Sequence, residues 1–186
     1  MIRNSKKSST IQSGFTLVEL VVIIGIIGFM SATVLYSQNK GADQRRLILE
    51  TRKLAQNIRK VQNSALSSTI HNCGGSNKVV SFGIILDEDT ADRYLLSADC
   101  NEDKIYDAGS DPLVATVILT DTRLSNVSPK NGGNALEVYF VPPLPVTAVN
   151  TNVTDSASGT ITLCGIRDTS LCRNIYINAR GAVSIQ

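Results

Sequence analysis

The hydrophobic pattern divides the chain into three stretches. From Leu20 to Tyr36 seventeen residues carry no charge, and Phe15 to Val18 extend the apolar run toward the N-terminus. About 20 apolar residues span a bilayer as a helix, so this run has membrane length. One carboxylate, Glu19, interrupts it. Gly25 and Gly28 lie within the run, where small residues permit close helix approach. After Gly41 the pattern becomes amphipathic. Leu47, Leu54, Ile58, Val61 and Ala65 recur at helical spacing along one stripe. Arg45, Arg52 and Arg59, flanked by Arg46, Lys53 and Lys60, recur every seventh residue on nearly the opposite face. One helix from about residue 15 to about residue 68 is expected, with Gly41 as the place for a kink.

Beyond Ile70 the period shortens to that of strands. "KVVSFGIIL", "RYLLSA", "VATVILT", "ALEVYFV", "GTITLCG" and "NIYINARGAVSI" are rich in β-branched and aromatic residues. Ala179-Arg180-Gly181 suits a hairpin turn. Pro142, Pro143 and Pro145 break the strand that ends at Val141, and the run from Thr147 to Gly159 reads as an exposed loop. A long helix followed by antiparallel strands is an α+β arrangement. No internal repeat is present.

Charge sharpens this division. The net formal charge of +2 is unevenly spread. Residues 1–14 carry Arg3, Lys6 and Lys7 and no acid. Residues 15–70 hold seven Lys/Arg against three acids, and residues 71–186 hold eight against thirteen. A basic stem therefore precedes an acidic head, and general nucleic-acid affinity does not follow from net charge. A secretory signal peptide would explain the basic start, but its apolar region is only about 7–15 residues and ends at a small-x-small site. No such site follows Tyr36. A plain membrane anchor accounts for the length but leaves Glu19 unexplained.

The stretch "GFTLVELVVIIGIIGFM" resembles the N-terminal motif of type IV prepilins and type II secretion pseudopilins. The resemblance implies a membrane aspartyl peptidase, the prepilin peptidase, that cuts after Gly14 and N-methylates Phe15. Glu19 is then the fifth residue of the mature chain, and Thr16 matches the polar second position. The new α-amine is largely cationic at neutral pH, and Glu19 lies one helical turn away on the same face. Amine and carboxylate can pair within a chain or between neighbouring subunits, which makes assembly conditional on cleavage.

The implied organisation is a cleaved basic leader (1–14), a transmembrane or filament-core helix (15–36), an amphipathic basic stem (37–70) and a β-rich exported head (71–186). The basic "RKLAQNIRKVQNSAL" stem, the strand-rich head and the terminal glycine hairpin resemble the GspH/FimT branch of minor pseudopilins and minor pilins; an abundant major pilin is the alternative within the superfamily. The implied function is structural and non-enzymatic, without a cofactor. Its partners would be other pilin or pseudopilin subunits, the prepilin peptidase, the inner-membrane assembly platform and, before assembly, inner-membrane lipid. The implied location is the bacterial inner membrane, leader inside and head exported, and then a periplasmic or cell-surface filament.

Three readings of the basic face remain: a solvated surface, a contact with acidic neighbouring subunits, or a grip on DNA phosphates as in a competence filament. No aromatic residues interleave with these positions to stack on bases. A membrane-anchored hydrolase would need a nucleophile and base that the sequence does not offer. Cys73, Cys100, Cys164 and Cys172 all lie in the head, and an even number in an exported domain favours disulfides. Three connectivities are open; Cys164–Cys172 with Cys73–Cys100 is preferred, because it closes one short loop and ties the stem's end to an acidic loop. That acidic loop presents Asp99, Asn101, Asp103 and Asp107 at roughly alternating positions, like the first half of a calcium loop. Lys104 and Ser110 stand where such a loop requires glycine and glutamate. A solvated acidic loop without metal is therefore expected. His71 reads as a helix-end residue, and the Asn126 and Asn152 sequons as chance.

Overall fold

The computed structural model describes residues 14–131, 133–142, 146–149 and 158–186, without the side chains of residues 35–40 and 146. The chain divides into two compact units, Met1–Lys40 and Gly41–Gln186. Helix α1 (Leu17–Leu66) is a single element of 50 residues that begins in the first unit and ends in the second.

In the first unit, Leu17–Val34 is long and apolar enough to cross a membrane, with mean hydropathy 2.4 and none of it buried. Its internal hydroxyls turn back onto the helix. Ser31 Oγ donates to the Ile27 carbonyl, and Thr33 Oγ1 donates to that of Met30. These polar groups are thus satisfied without a partner outside the segment.

The second unit is built on the other end of α1. Leu47, Thr51, Leu54, Ala55, Ile58, Val61 and Ala65 are buried, which is the stripe expected from the spacing. Ser68 adopts a left-handed conformation (φ 48°) just past the helix end, where backbone bonds to the Ser64 and Ala65 carbonyls close the last turn.

The strands that follow are β1 (Ile70–Cys73), β2 (Ser76–Val79), β3 (Ser81–Asp87), β4 (Arg93–Asp99), β5 (Leu113–Ile118), β6 (Thr122–Ser128), β7 (Ala135–Val141), β8 (Val146–Val149), β9 (Gly159–Gly165), β10 (Cys172–Ile177) and β11 (Val183–Ile185). All their pairings are antiparallel. β1 and β2 form a hairpin. The order β5-β4-β3-β7-β8 makes a five-stranded sheet, and β11-β10-β9-β6 a four-stranded one. The protein is therefore α+β: one long N-terminal helix and antiparallel sheets. The helix stripe and one face of each sheet share a single core that includes Phe82, Ile84, Leu136, Phe140, Leu163 and Ile175.

The centre of the other face of the five-stranded sheet is buried too. Ile85, Ser97, Asp99, Glu137, Tyr139 and Ala148 are inaccessible yet lie outside the main core cluster. Tyr139 sits opposite Gly83 in the β3–β7 register, and its hydroxyl reaches Ser97 Oγ at 3.1 Å. A Cβ at Gly83 would lie 2.4 Å from the Tyr139 ring, so glycine is what lets the ring lie across the sheet.

Several sequence expectations need correction. Thr147 to Gly159 is not an exposed loop throughout. Thr147, Ala148 and Val149 are buried on β8, which pairs with β7, and Gly159 opens β9; residues 150–157 lie outside the described set. "KVVSFGIIL" is two strands, β2 and β3, broken at Val80. β6 was not anticipated, because a register shift between Leu124 and Asn126 interrupts its alternation. His71 is no helix-end residue: it pairs with Lys78 in the β1–β2 hairpin and stands edge-on to Phe82.

Candidate functional site

The N-terminal junction lies in the first unit. Gly14, Phe15 and Thr16 precede the helix, and Phe15 is 77% exposed. Nothing lies within 4 Å of a Cβ built at Gly14. Thr16 Oγ1 accepts from the Glu19 N–H at 3.3 Å, and the Thr16 carbonyl accepts from the Leu20 N–H. Thr16 is thus the N-cap of α1 and Glu19 its third residue, the Thr-x-x-Glu spacing of a capping box. Glu19 also puts negative charge in the first turn, where the helix dipole favours it. Sequence reasoning missed this local role, although the spacing that signals it was legible. The Glu19 carboxylate has no partner among the described residues. The leader, residues 1–13, lies outside them.

The six basic stem residues are used unequally. Arg46 Nη1 pairs with Asp121 Oδ1 at 3.0 Å, and Lys53 pairs with Glu50 at 3.6 Å. Arg45 Nε donates to the Gly41 carbonyl, and Arg59 Nη2 to the Val183 carbonyl of β11. Arg52 and Lys60 have no partner among the described residues. Arg52 lines a cavity of ≈ 260 Å³ together with Arg173 of β10, Thr51, Ile48 and Ile185.

The four cysteines form two disulfides. Cys73–Cys100 joins the β1–β2 hairpin to the end of β4, and Cys164–Cys172 links directly opposed residues of β9 and β10. Lys78 Nζ also reaches the Cys100 carbonyl and lies 3.8 Å from Glu102, so the hairpin is held to the acidic loop at three points.

That loop, residues 100–112, is organised by buried carboxylates. Asp99 accepts from the Glu102 and Lys104 N–H groups, and these two residues take left-handed conformations (φ 67° and 63°) to present them. Asp111 accepts from the Cys100 and Asp107 N–H groups. Glu137 of β7 accepts from the Tyr106 N–H and from Asn131 Nδ2. Desolvation raises the Asp99 and Glu137 carboxyls above their ordinary range and pushes the Tyr139 hydroxyl up as well. Carboxylate oxygens of Asp99, Asp103 and Asp111 lie within 4.8 Å of one another. The set named from sequence is therefore revised: Asp111 joins Asp99 and Asp103, whereas Asn101 donates to Asp103 and Asp107 bonds to Asp111 through its backbone. These oxygens hold the loop closed, a task the sequence pattern did not disclose.

These elements define an α+β protein with one N-terminal helix of membrane-crossing length and composition. No protein-family model matches the chain, and no curated protein matches it. Among solved structures it is similar to the minor pseudopilin EpsH from the Type 2 Secretion System of Vibrio cholerae. The identity is 9% and the TM-score 0.49, over 76% of this chain and 96% of that one. A likeness this distant carries no functional inference, which rests on the N-terminal junction and the head's own geometry.

Proposed function

We propose that this chain is a structural, non-enzymatic subunit, a minor pilin or pseudopilin, of a type IV pilus or type II secretion pseudopilus. In this reading the prepilin peptidase cleaves between Gly14 and Phe15 and methylates Phe15. The chain first sits in the inner membrane as a single-pass protein with the head exported. It then enters a filament through α1, with other subunits and the assembly platform as partners. The observation that carries the proposal is the junction itself. An accessible Gly14–Phe15 bond stands just before a helix whose first 18 residues include no buried one. At its head is the Glu19 carboxylate, without a partner among the described residues and one turn from where cleavage would place an amine. An exposed apolar surface of that size needs lipid or other helices to cover it.

The test is the intact mass and N-terminal peptide of the protein purified from its native membrane. A chain starting at Phe15 and carrying one added methyl group is expected. A chain still starting at Met1 in cells with active prepilin peptidase would overturn the proposal.

The competence reading draws on one specific feature: Arg52, which has no partner among the described residues, and Arg173 line one cavity, with Lys60 farther along the stem. If the head grips DNA phosphates, charge reversal at Arg52, together with Arg45 and Arg59, abolishes DNA retention while filament assembly persists. Retention unchanged by these substitutions removes that reading.

A further inference from the structure

The five-stranded sheet ends at β5, and its edge is unusually bare. The strand reads Leu-Val-Ala-Thr-Val-Ile and contains no charge and no proline. Sheet edges are usually blunted by such residues, because a free row of N–H and C=O groups templates pairing with another strand. β5 pairs with β4 on one side, and among the described residues no strand lies on the other. Its exposed apolar side chains are concentrated here: Leu113 and Val114 are each 46% exposed and Ile118 is 61% exposed.

The hydrogen-bond pattern shows which groups are free. The Ala98 N–H donates to the Pro112 carbonyl, and the Leu119 N–H donates to the Asp92 carbonyl. With the register Tyr94 to Val117 and Leu96 to Ala115, the even-numbered residues of β4 therefore face β5. Ala115 and Val117 turn their backbone groups toward β4, so the alternation of an antiparallel ladder leaves Thr116 and Ile118 facing the free edge. The register shift opposite Leu96 and Ser97 confines the irregularity to Val114, and Ala115–Ile118 is regular.

We infer that β5 pairs edge to edge, antiparallel, with β5 of a second copy of this chain, around a two-fold axis at Val117. A two-fold axis perpendicular to the sheet requires opposed residues to share a face, and this register satisfies that condition. Thr116 lies opposite Ile118 of the second copy, so the outward-facing backbone groups of the regular stretch bond to one another. Val117 lies opposite its own counterpart as a β-branched pair, which antiparallel sheets favour. No charged residue falls opposite a like charge within the strand, and the bulge at Val114 stays outside the pair. A second copy is favoured over a foreign strand because the edge is complementary to itself. Each head offers one such edge, so the contact is closed and joins heads in pairs. The inference stands independently of filament assembly.

The test uses the full chain in detergent, in variants that each carry one added cysteine, Thr116→Cys or Ile118→Cys. Hydrogen-bonded antiparallel partners have Cα atoms about 5.5 Å apart, within disulfide reach. Mixing the two variants under mild oxidation is expected to give a cross-linked dimer at roughly tenfold the yield of either variant alone or of an exposed control, Ser125→Cys. Thr116→Lys is expected to weaken dimerisation about tenfold or more while leaving the unfolding of the monomer, followed at high dilution, unaltered. Equal yields in all samples, cross-linking of Thr116→Cys alone, or dimerisation unchanged by Thr116→Lys would overturn the inference. A dimer held only by the apolar helix would give that last result.

Discussion

Thr16 sets the start of α1, because its hydroxyl accepts from the Glu19 N–H and its carbonyl accepts from the Leu20 N–H. Thr16→Ala removes the side-chain acceptor, and N-cap loss costs about 1 kcal/mol. Fraying of the first turn, read by amide exchange in detergent micelles, is the expected result. Glycines dictate the chain path at two other positions. Gly83→Ala would drive a Cβ to 2.4 Å from the Tyr139 ring, and Gly181→Ala would strain a φ of +77° while pressing on Gln62 and Phe140. Overpacking of this kind costs roughly 1–3 kcal/mol. Urea unfolding of either variant should show a loss of that order. Gly83 in the midst of "SFGIIL" could be read as a strand residue from sequence, but the ring across it could not.

Among the elements, the helix stripe was the most legible from sequence, because a period of 3.6 over five buried positions has few competing explanations. Leu54 and Ile58 are fully buried. Truncation of either to alanine should cost about 2–5 kcal/mol, since lost transfer energy and a residual cavity add; denaturant titration would measure it. β8 and β6 were illegible for opposite reasons. β8 is only four residues long and opens just after the proline cluster, while β6 has its alternation broken by a register shift. The disulfides also differ in reach. Cys73–Cys100 spans 27 residues and Cys164–Cys172 only 8. Constraint of the unfolded chain grows with loop length, so Cys73→Ser/Cys100→Ser should cost more than Cys164→Ser/Cys172→Ser, within a usual range of about 2–4 kcal/mol. Comparing the two melting transitions checks the order.

For the molecule as a whole, the division into two units has a direct consequence. Among the described residues, every buried core residue lies at Leu47 or beyond. A chain beginning at Gly41 should therefore keep the head's unfolding midpoint, and a large fall would show that the first 40 residues support it. The buried carboxyls under the acidic loop set the pH response. Asp99 and Glu137 bind protons more readily folded than unfolded, because burial disfavours their charged forms. Stability then falls as pH rises from the ordinary carboxylate range, about 4, through the raised folded values. Urea unfolding across that interval should show this negative slope, and Asp99→Asn with Glu137→Gln should flatten it. Glu88 acts in the opposite sense and at lower pH. Its bond to Lys130 lowers its carboxyl, so that contribution is lost on acidification.

The sequence by itself determined the apolar run, the amphipathic stripe, the α+β class and the motif at Gly14–Phe15. These are local or periodic properties, written in the spacing of side chains along one element. Only the tertiary structure decided which strands are neighbours, that Asp111 and Glu137 join Asp99 beneath one loop, and that Arg46 and Arg59 are engaged while Arg52 has no partner among the described residues. It also decided that β5 ends a sheet. Each of these depends on residues far apart in the chain meeting in one register, and no period in the sequence encodes such a meeting.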